Sequence, residues 1–148
     1  MKRVLLLLLI LPYLCCGQKS RKPPMFDPPR GSKIIYLYYD QSDAEAYQSA
    51  LRMIQSHGWS LAQQDTIAGL LETSLFPLSP GYDMMIRLTL QDRKIQLRGY
   101  CFNYLGMEFE AECGALMRGP LLAFNRLNAF AYSLRGRLNT MRFAYAKE

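Results

Sequence analysis

The chain has 148 residues, half of them hydrophobic and a fifth charged, with a formal net charge of +6. That composition excludes a disordered or low-complexity protein and fits one ordinary globular domain. It also argues against a nucleic-acid polycation, because loss of Lys2 and Arg3 with the leader described next takes +6 to a mild +4.

Residues 1–17 read as a signal peptide. Met1-Lys2-Arg3 is the positive start, residues 4–14 are apolar apart from Pro12, and Cys15-Cys16-Gly17 closes the segment. The run is too short to span a bilayer, which takes about 20 apolar residues. Two endings fit. In the first, Cys16 is acylated and becomes the first residue of a lipoprotein, with Cys15 as the alternative acceptor; small Cys15 precedes Cys16, whereas bulky Leu14 precedes Cys15. Such a lipid would anchor the chain to the outer or cytoplasmic membrane, facing periplasm or exterior, without spanning it. In the second, cleavage after Gly17 releases a soluble periplasmic or secreted protein.

Residues 18–33 (QKSRKPPMFDPPRGSK) hold four prolines and five basic residues, the composition of an extended linker. Its cations suit either rest on anionic headgroups or a solvated spacer. Residues 34–39 (IIYLYY) form a strand that is apolar on both faces, as a central strand would be. Ser42-Asp43-Ala44-Glu45 is a capping box, and the helix behind it aligns Tyr47, Ala50, Leu51 and Ile54, with Gly58 placed to end it.

Residues 59–63 and 67–76 read as two strands around a corner at 64–66, and the two prolines of residues 77–81 mark a loop. Then comes a meander. Met84, Ile86, Leu88 and Leu90 alternate with Met85, Arg87, Thr89 and Gln91; after a turn at Asp92-Arg93, Ile95, Leu97, Gly99 and Cys101 alternate with Gln96, Arg98, Tyr100 and Phe102. A third alternation covers residues 107–113. Pairing Gln91 with Lys94 sets Leu88 against Leu97 and Arg87 against Arg98; pairing Asn103 with Met107 sets Tyr100 against Glu110 and Arg98 against Glu112. From Pro120, the residues Phe124, Leu127, Ala131, Leu134, Leu138 and Met141 step three and four apart, which predicts one long C-terminal helix on the apolar side of the sheet. The fold expected is therefore α+β: a curved antiparallel sheet of five to six strands, in the order β-α-β-β-β-β-β-α, against one short and one long helix. One domain spans residues 34–143, with 144–148 as a tail.

Side chains able to do chemistry are few. His57, the one histidine, falls in the last turn of the first helix, where the peptide dipoles favour a cation, and reads as a cap. Cys101 and Cys113 match no metal-knuckle spacing. With Cys101 facing Phe109, Cys113 lies about 13 Å further along at the usual rise, beyond the about 7 Å a disulfide allows between Cα atoms. Glu108, Glu110 and Glu112 share a strand face with Arg87 and Arg98, the makings of a solvated ion-pair lattice. No catalytic residue, metal or cofactor is expected, and no nucleic-acid partner. Between Gly114 and Lys147 there is no acid, while Arg118, Arg126, Arg135, Arg137, Arg142 and Lys147 are basic. Arg126, Arg135, Arg137 and Arg142 with Arg87, Arg98, Glu110 and Glu112 make the candidate interaction surface, for an envelope protein or anionic lipid. Met84, Ile86, Leu97, Phe124 and Leu134 would line a cup between sheet and helix, which suits a small-ligand or lipid carrier if it stays partly open.

The order of elements, together with the segment DQSDAEAYQSALRMIQSHGWSLAQQDTIAGLLET, resembles small bacterial envelope lipoprotein domains of helix-grip or TATA-binding-protein-like fold. Examples are the domains of the outer-membrane assembly lipoprotein BamC and several uncharacterised exported families. The resemblance spans about residues 33 to 141 and implies a non-enzymatic binding or assembly module.

Overall fold

The computed structural model of the chain describes residues 28–138 and 142–148. The expected signal peptide, Cys15, Cys16, residues 18–27 of the linker and Met141 lie outside the described residues.

The first strand, β1 (Ile34–Tyr38), leads into α1 (Asp43–Ser56). The capping box forms as expected: the Glu45 amide donates to the Ser42 hydroxyl oxygen at 3.3 Å, and the Ser42 amide donates to the Glu45 carboxylate at 3.0 Å. These bonds to Ser42 hold the Glu45 carboxyl below its usual range. Asp43, in the first turn, accepts from the Tyr39 hydroxyl at 2.8 Å and from the Arg93 amide at 3.3 Å. The helix start is thereby tied to the turn across the sheet.

After α1 come β2 (Leu61–Asp65), β3 (Leu70–Thr73), β4 (Phe76–Ser79), β5 (Tyr82–Gln91), β6 (Lys94–Asn103) and β7 (Glu108–Glu110), then α2 (Arg118–Leu138) and β8 (Arg142–Ala146). All pairings are antiparallel, and the sheet runs β2-β3-β5-β6-β1-β8, with β4 also paired to β5 and β7 to β6. The α+β architecture is that expected, with one short and one long helix. The β5–β6 register is the one the alternation sets: Gln91 pairs with Lys94, Leu88 with Leu97 and Arg87 with Arg98. Asp92 and Arg93, both at positive φ, make the two-residue turn whose twist suits a hairpin.

Five expectations need correction. The corner at 64–66 moves to the residues after Asp65, because the Asp65 carboxylate accepts from the Ile67 and Ala68 amides and Gly69 turns at φ 65°. Residues 77–81 are not all loop: Phe76–Ser79 pairs with β5 through a register shift, which tolerates Pro77. The Thr73 hydroxyl accepts the Ile86 amide at 2.9 Å where β3 gives way to that irregular stretch. The strand expected over 107–113 shortens to β7, because beyond Glu110 the Ala111 amide donates to Gly99 and the Glu112 amide turns to the Pro120 carbonyl. The domain does not end at 143, since β8 takes in part of the expected tail and pairs with β1. Finally, β1 is central, but the helices cover only the Ile35–Leu37 face; on the other, Ile34 is buried while Tyr36 and Tyr38 are half-buried.

That covered face is the core. Ile35, Leu37, Leu71, Met84, Ile86, Leu88, Leu90, Ile95, Leu97 and Cys101 meet Ala46, Tyr47, Ala50, Met53 and Ile54 of α1 and Ala123, Phe124, Leu127, Phe130, Ala131 and Leu134 of α2 in one cluster. Each large apolar side chain sealed there stabilises the fold by about 1.5–3 kcal/mol relative to exposure. An aromatic group closes one side: Trp59 stacks on Phe76 at 4.2 Å between ring centres and lies 5.4 Å from Phe130.

Candidate interaction surface

Alternation along β1, β5 and β6 sends every second side chain away from the helices. On that open face β1 presents Tyr36 and Tyr38, β5 presents Met85, Arg87 and Thr89, and β6 presents Lys94, Gln96, Arg98, Tyr100 and Phe102, all half-buried. Among the described residues no helix lies over them, since α1 and α2 both pack on the opposite face.

Most of the charge on this face is compensated. Arg87 donates to the Glu72 carboxylate and lies 5.3 Å from the centre of the Tyr100 ring. Arg98 donates to Glu110 at 2.8 Å and to Glu148 at 3.0 Å, and Lys33 stands 3.5 Å from Glu110. The hydrogen bond to Glu72 holds the Arg87 guanidinium above its usual value. Burial works against the Arg98 charge, but Glu148 and Glu110 outweigh it. Two cations stand differently. Lys94 lies 5.3 Å from the Tyr36 ring centre and Arg142 lies 4.9 Å from that of Tyr38, and neither meets a carboxylate among the described residues. Tyr38 sits in register with Lys94 on one side and Arg142 on the other. The result is a patch of two phenol rings between two cations that have no carboxylate partner among the described residues.

The residues expected to form one interaction surface separate into two. Arg87, Arg98, Glu110 and Arg142 share the open sheet face. Arg126, Arg135 and Arg137 belong to α2, whose apolar stripe is buried against the opposite face. Glu112 is half-buried in the turn towards α2 and does not face Arg98, whose strand partner is Ile34. Arg87 and Arg98 draw on Glu72, Glu110 and Glu148 rather than on a three-glutamate row. Sequence reasoning overlooked Tyr36, Tyr38 and Lys94. Their signal was present: Tyr36 and Tyr38 alternating with Ile35 and Leu37 mark a strand whose second face needs a polar tip.

The expected cup is sealed. Met84, Ile86, Leu97, Phe124 and Leu134 have no solvent exposure and belong to the contiguous core, so the side chains meant to line an opening lie in the packing between sheet and helix. His57 caps α1: its Nδ1 lies 2.9 Å from the Met53 carbonyl oxygen, and its ring lies 4.6 Å from that of Trp59. Gly58 follows at φ 71°, the left-handed residue past the helix end. Cys101 faces Phe109, and burial pushes its thiol up, away from the nucleophilic thiolate. Cys113 donates to the Pro28 carbonyl at 3.5 Å and is not bridged to Cys101. Among the described residues no three His, Cys, Asp or Glu side chains gather as a ligand set.

No protein-family model matches the chain, and no curated protein matches it either.

Proposed function

We propose that the chain is a non-enzymatic binding module of the bacterial cell envelope, held at a membrane by a lipid on Cys16, and that its open sheet face docks an acidic segment of a partner protein. The observation that carries this reading is the pair Lys94 and Arg142, each over a tyrosine ring and each without a carboxylate among the described residues. An incoming Asp or Glu completes both pairs, while the phenol rings supply contact area at low entropic cost. Arg87 and Arg98, already compensated, frame the patch. The reactive types in the chain have structural work of another kind, His57 at a helix end and Cys101 in the core. The sealed cup weighs against a carrier.

A photo-crosslinking residue at Gln96, beside Tyr36, tests the reading in the source cell, with the same residue at Arg126 on α2 as the comparison. A discrete protein adduct from position 96, absent from 126 and lost with Lys94→Glu plus Arg142→Glu, supports it. Equal adducts from both positions, or an adduct indifferent to charge reversal, overturns it. The mass of the mature N-terminus decides between acylation at Cys16 and cleavage after Gly17.

A further inference from the structure

Large apolar side chains are exposed chiefly at one end of the molecule. Tyr104, Leu105 and Met107 lie on the β6–β7 turn, and Leu116 and Met117 lie just before α2; Leu116 is 94% exposed, Tyr104 83% and Leu105 66%. The two loops belong to the same end. Tyr82 opens β5 opposite Asn103, the last residue of β6, and Gly119 at the start of α2 lies against the Tyr82 ring. Isolated exposed leucines are ordinary, but five large apolar residues on two adjoining loops are a patch.

What borders the patch indicates what covers it. Arg30, Arg118 and Lys147 are exposed at this end, and the Arg30 stem lies over Gly114 while that of Lys147 lies over Gly31. The exposed acids Asp83 and Glu108 alternate with core-facing residues of β5 and β7, which puts them on the open-sheet side, and Glu148, next to Lys147, is drawn to Arg98 on that same side; Arg118 stands on the helix side. The incoming chain is fastened here as well. The Gly31 amide donates to the Cys113 carbonyl at 2.7 Å, the Cys113 amide to Ser32 at 2.8 Å, and the Cys113 thiol to Pro28. Whatever precedes Pro28 therefore leaves the domain beside residues 114–117. Between Cys16 and Pro28 there are few enough residues to reach at most about 40 Å when fully extended, so a lipid on Cys16 keeps the domain close to the bilayer and enters it from this end.

We propose that the loop end formed by residues 104–107 and 114–118 seats on an anionic bilayer surface, with Leu105, Leu116 and Met117 entering the headgroup region and Arg30, Arg118 and Lys147 meeting lipid phosphates. Apolar side chains at the acyl boundary with cations at headgroup level is the arrangement interfacial segments use. It leaves the open sheet face turned sideways to the membrane, free to meet a partner. The geometry rests on the envelope reading only for the tether, since the patch and its cations belong to the domain.

The test uses the mature chain as the cell makes it. Trp59→Phe removes its one tryptophan; Leu116→Trp then places a probe at the loop end, and in a second chain Ile67→Trp places one on the β2–β3 turn, away from it. On vesicles of equal parts phosphatidylglycerol and phosphatidylcholine with brominated acyl chains, fluorescence from position 116 falls about twofold or more and shifts to the blue, while that from 67 stays nearly constant. On phosphatidylcholine alone the quenching at 116 drops several-fold. Equal quenching at both positions, none at 116, or indifference to phosphatidylglycerol overturns the proposal. Far-ultraviolet circular dichroism of each variant confirms folding. The N-terminal mass reports acylation separately, so a missing lipid and a misplaced loop end give different results.

Discussion

The two faces of β5 and β6 are built from the same strands, with alternate residues, yet they answer to different demands. Met84, Ile86, Leu88, Leu90, Ile95, Leu97 and Cys101 vanish under two helices, whereas Arg87, Lys94, Arg98 and Tyr100 stay half in water and engage one another through rings and carboxylates. Stability is concentrated on the first face because removal of apolar area from water is the large term in folding. Exposed ion pairs contribute about 0–1 kcal/mol each. The open face can therefore be shaped for recognition at little cost to the fold, and substitutions should separate the two.

Phe124→Ala, in the centre of the covered face, should cost about 3–5 kcal/mol in denaturant unfolding and leave the position-96 adduct intact in whatever fraction folds. Loss of that adduct from well-folded protein would erase the distinction between the faces. Gly69→Ala should cost about 2–4 kcal/mol, since φ there is positive and the added Cβ runs into the Leu90 carbonyl oxygen. Tyr145→Phe removes the hydroxyl that donates to the buried Asn128 at 2.9 Å and should cost about 1–2 kcal/mol near neutral pH.

Burial raises the phenols of both Tyr39 and Tyr145 well above their ordinary value. A group raised on folding stabilises fully below its unfolded value, and that share is lost as pH climbs. The melting temperature should thus fall above about pH 10, and Tyr145→Phe should flatten the decline. A slope unchanged by that substitution would assign alkaline unfolding to other groups. Smallest on stability should be Tyr38→Ala, under about 1 kcal/mol, although it removes most of the position-96 adduct; Arg98→Ala, whose charge is already paired, should leave the adduct in place.

Much of the covered face was legible in the sequence because its signals are local. The capping box at Ser42, the strict alternation from Met84 to Cys101 and the two-residue turn at Asp92-Arg93 set an element, a face and a register with no need of distant information. β4 was hidden by Pro77 and Pro80, since a proline-tolerant register shift is a property of the pairing and not of the segment. β8 was hidden for a related reason. RFAYA alternates Phe143 and Tyr145 towards the core, but Arg142 and Phe143 read as the end of the domain and residues 144–148 as a tail, and only β1 beside them makes a strand. The proposed docking patch had the same character: Tyr38, Lys94 and Arg142 come from three strands distant in sequence, and the arginines grouped by charge alone divide between two sides of the molecule.

The pairing of β1 with β8 bears on how the domain is made. Ile34 lies opposite Ala146, so during synthesis β1 finds one of its two neighbours only after every other described element has followed. Its other neighbour, β6, also comes late. Until then Ile35 and Leu37 have no sheet to join, and the amino-terminal part of the domain cannot lock into its final form. A chain wired in this way closes its sheet late, when β6 and then β8 have become available to β1.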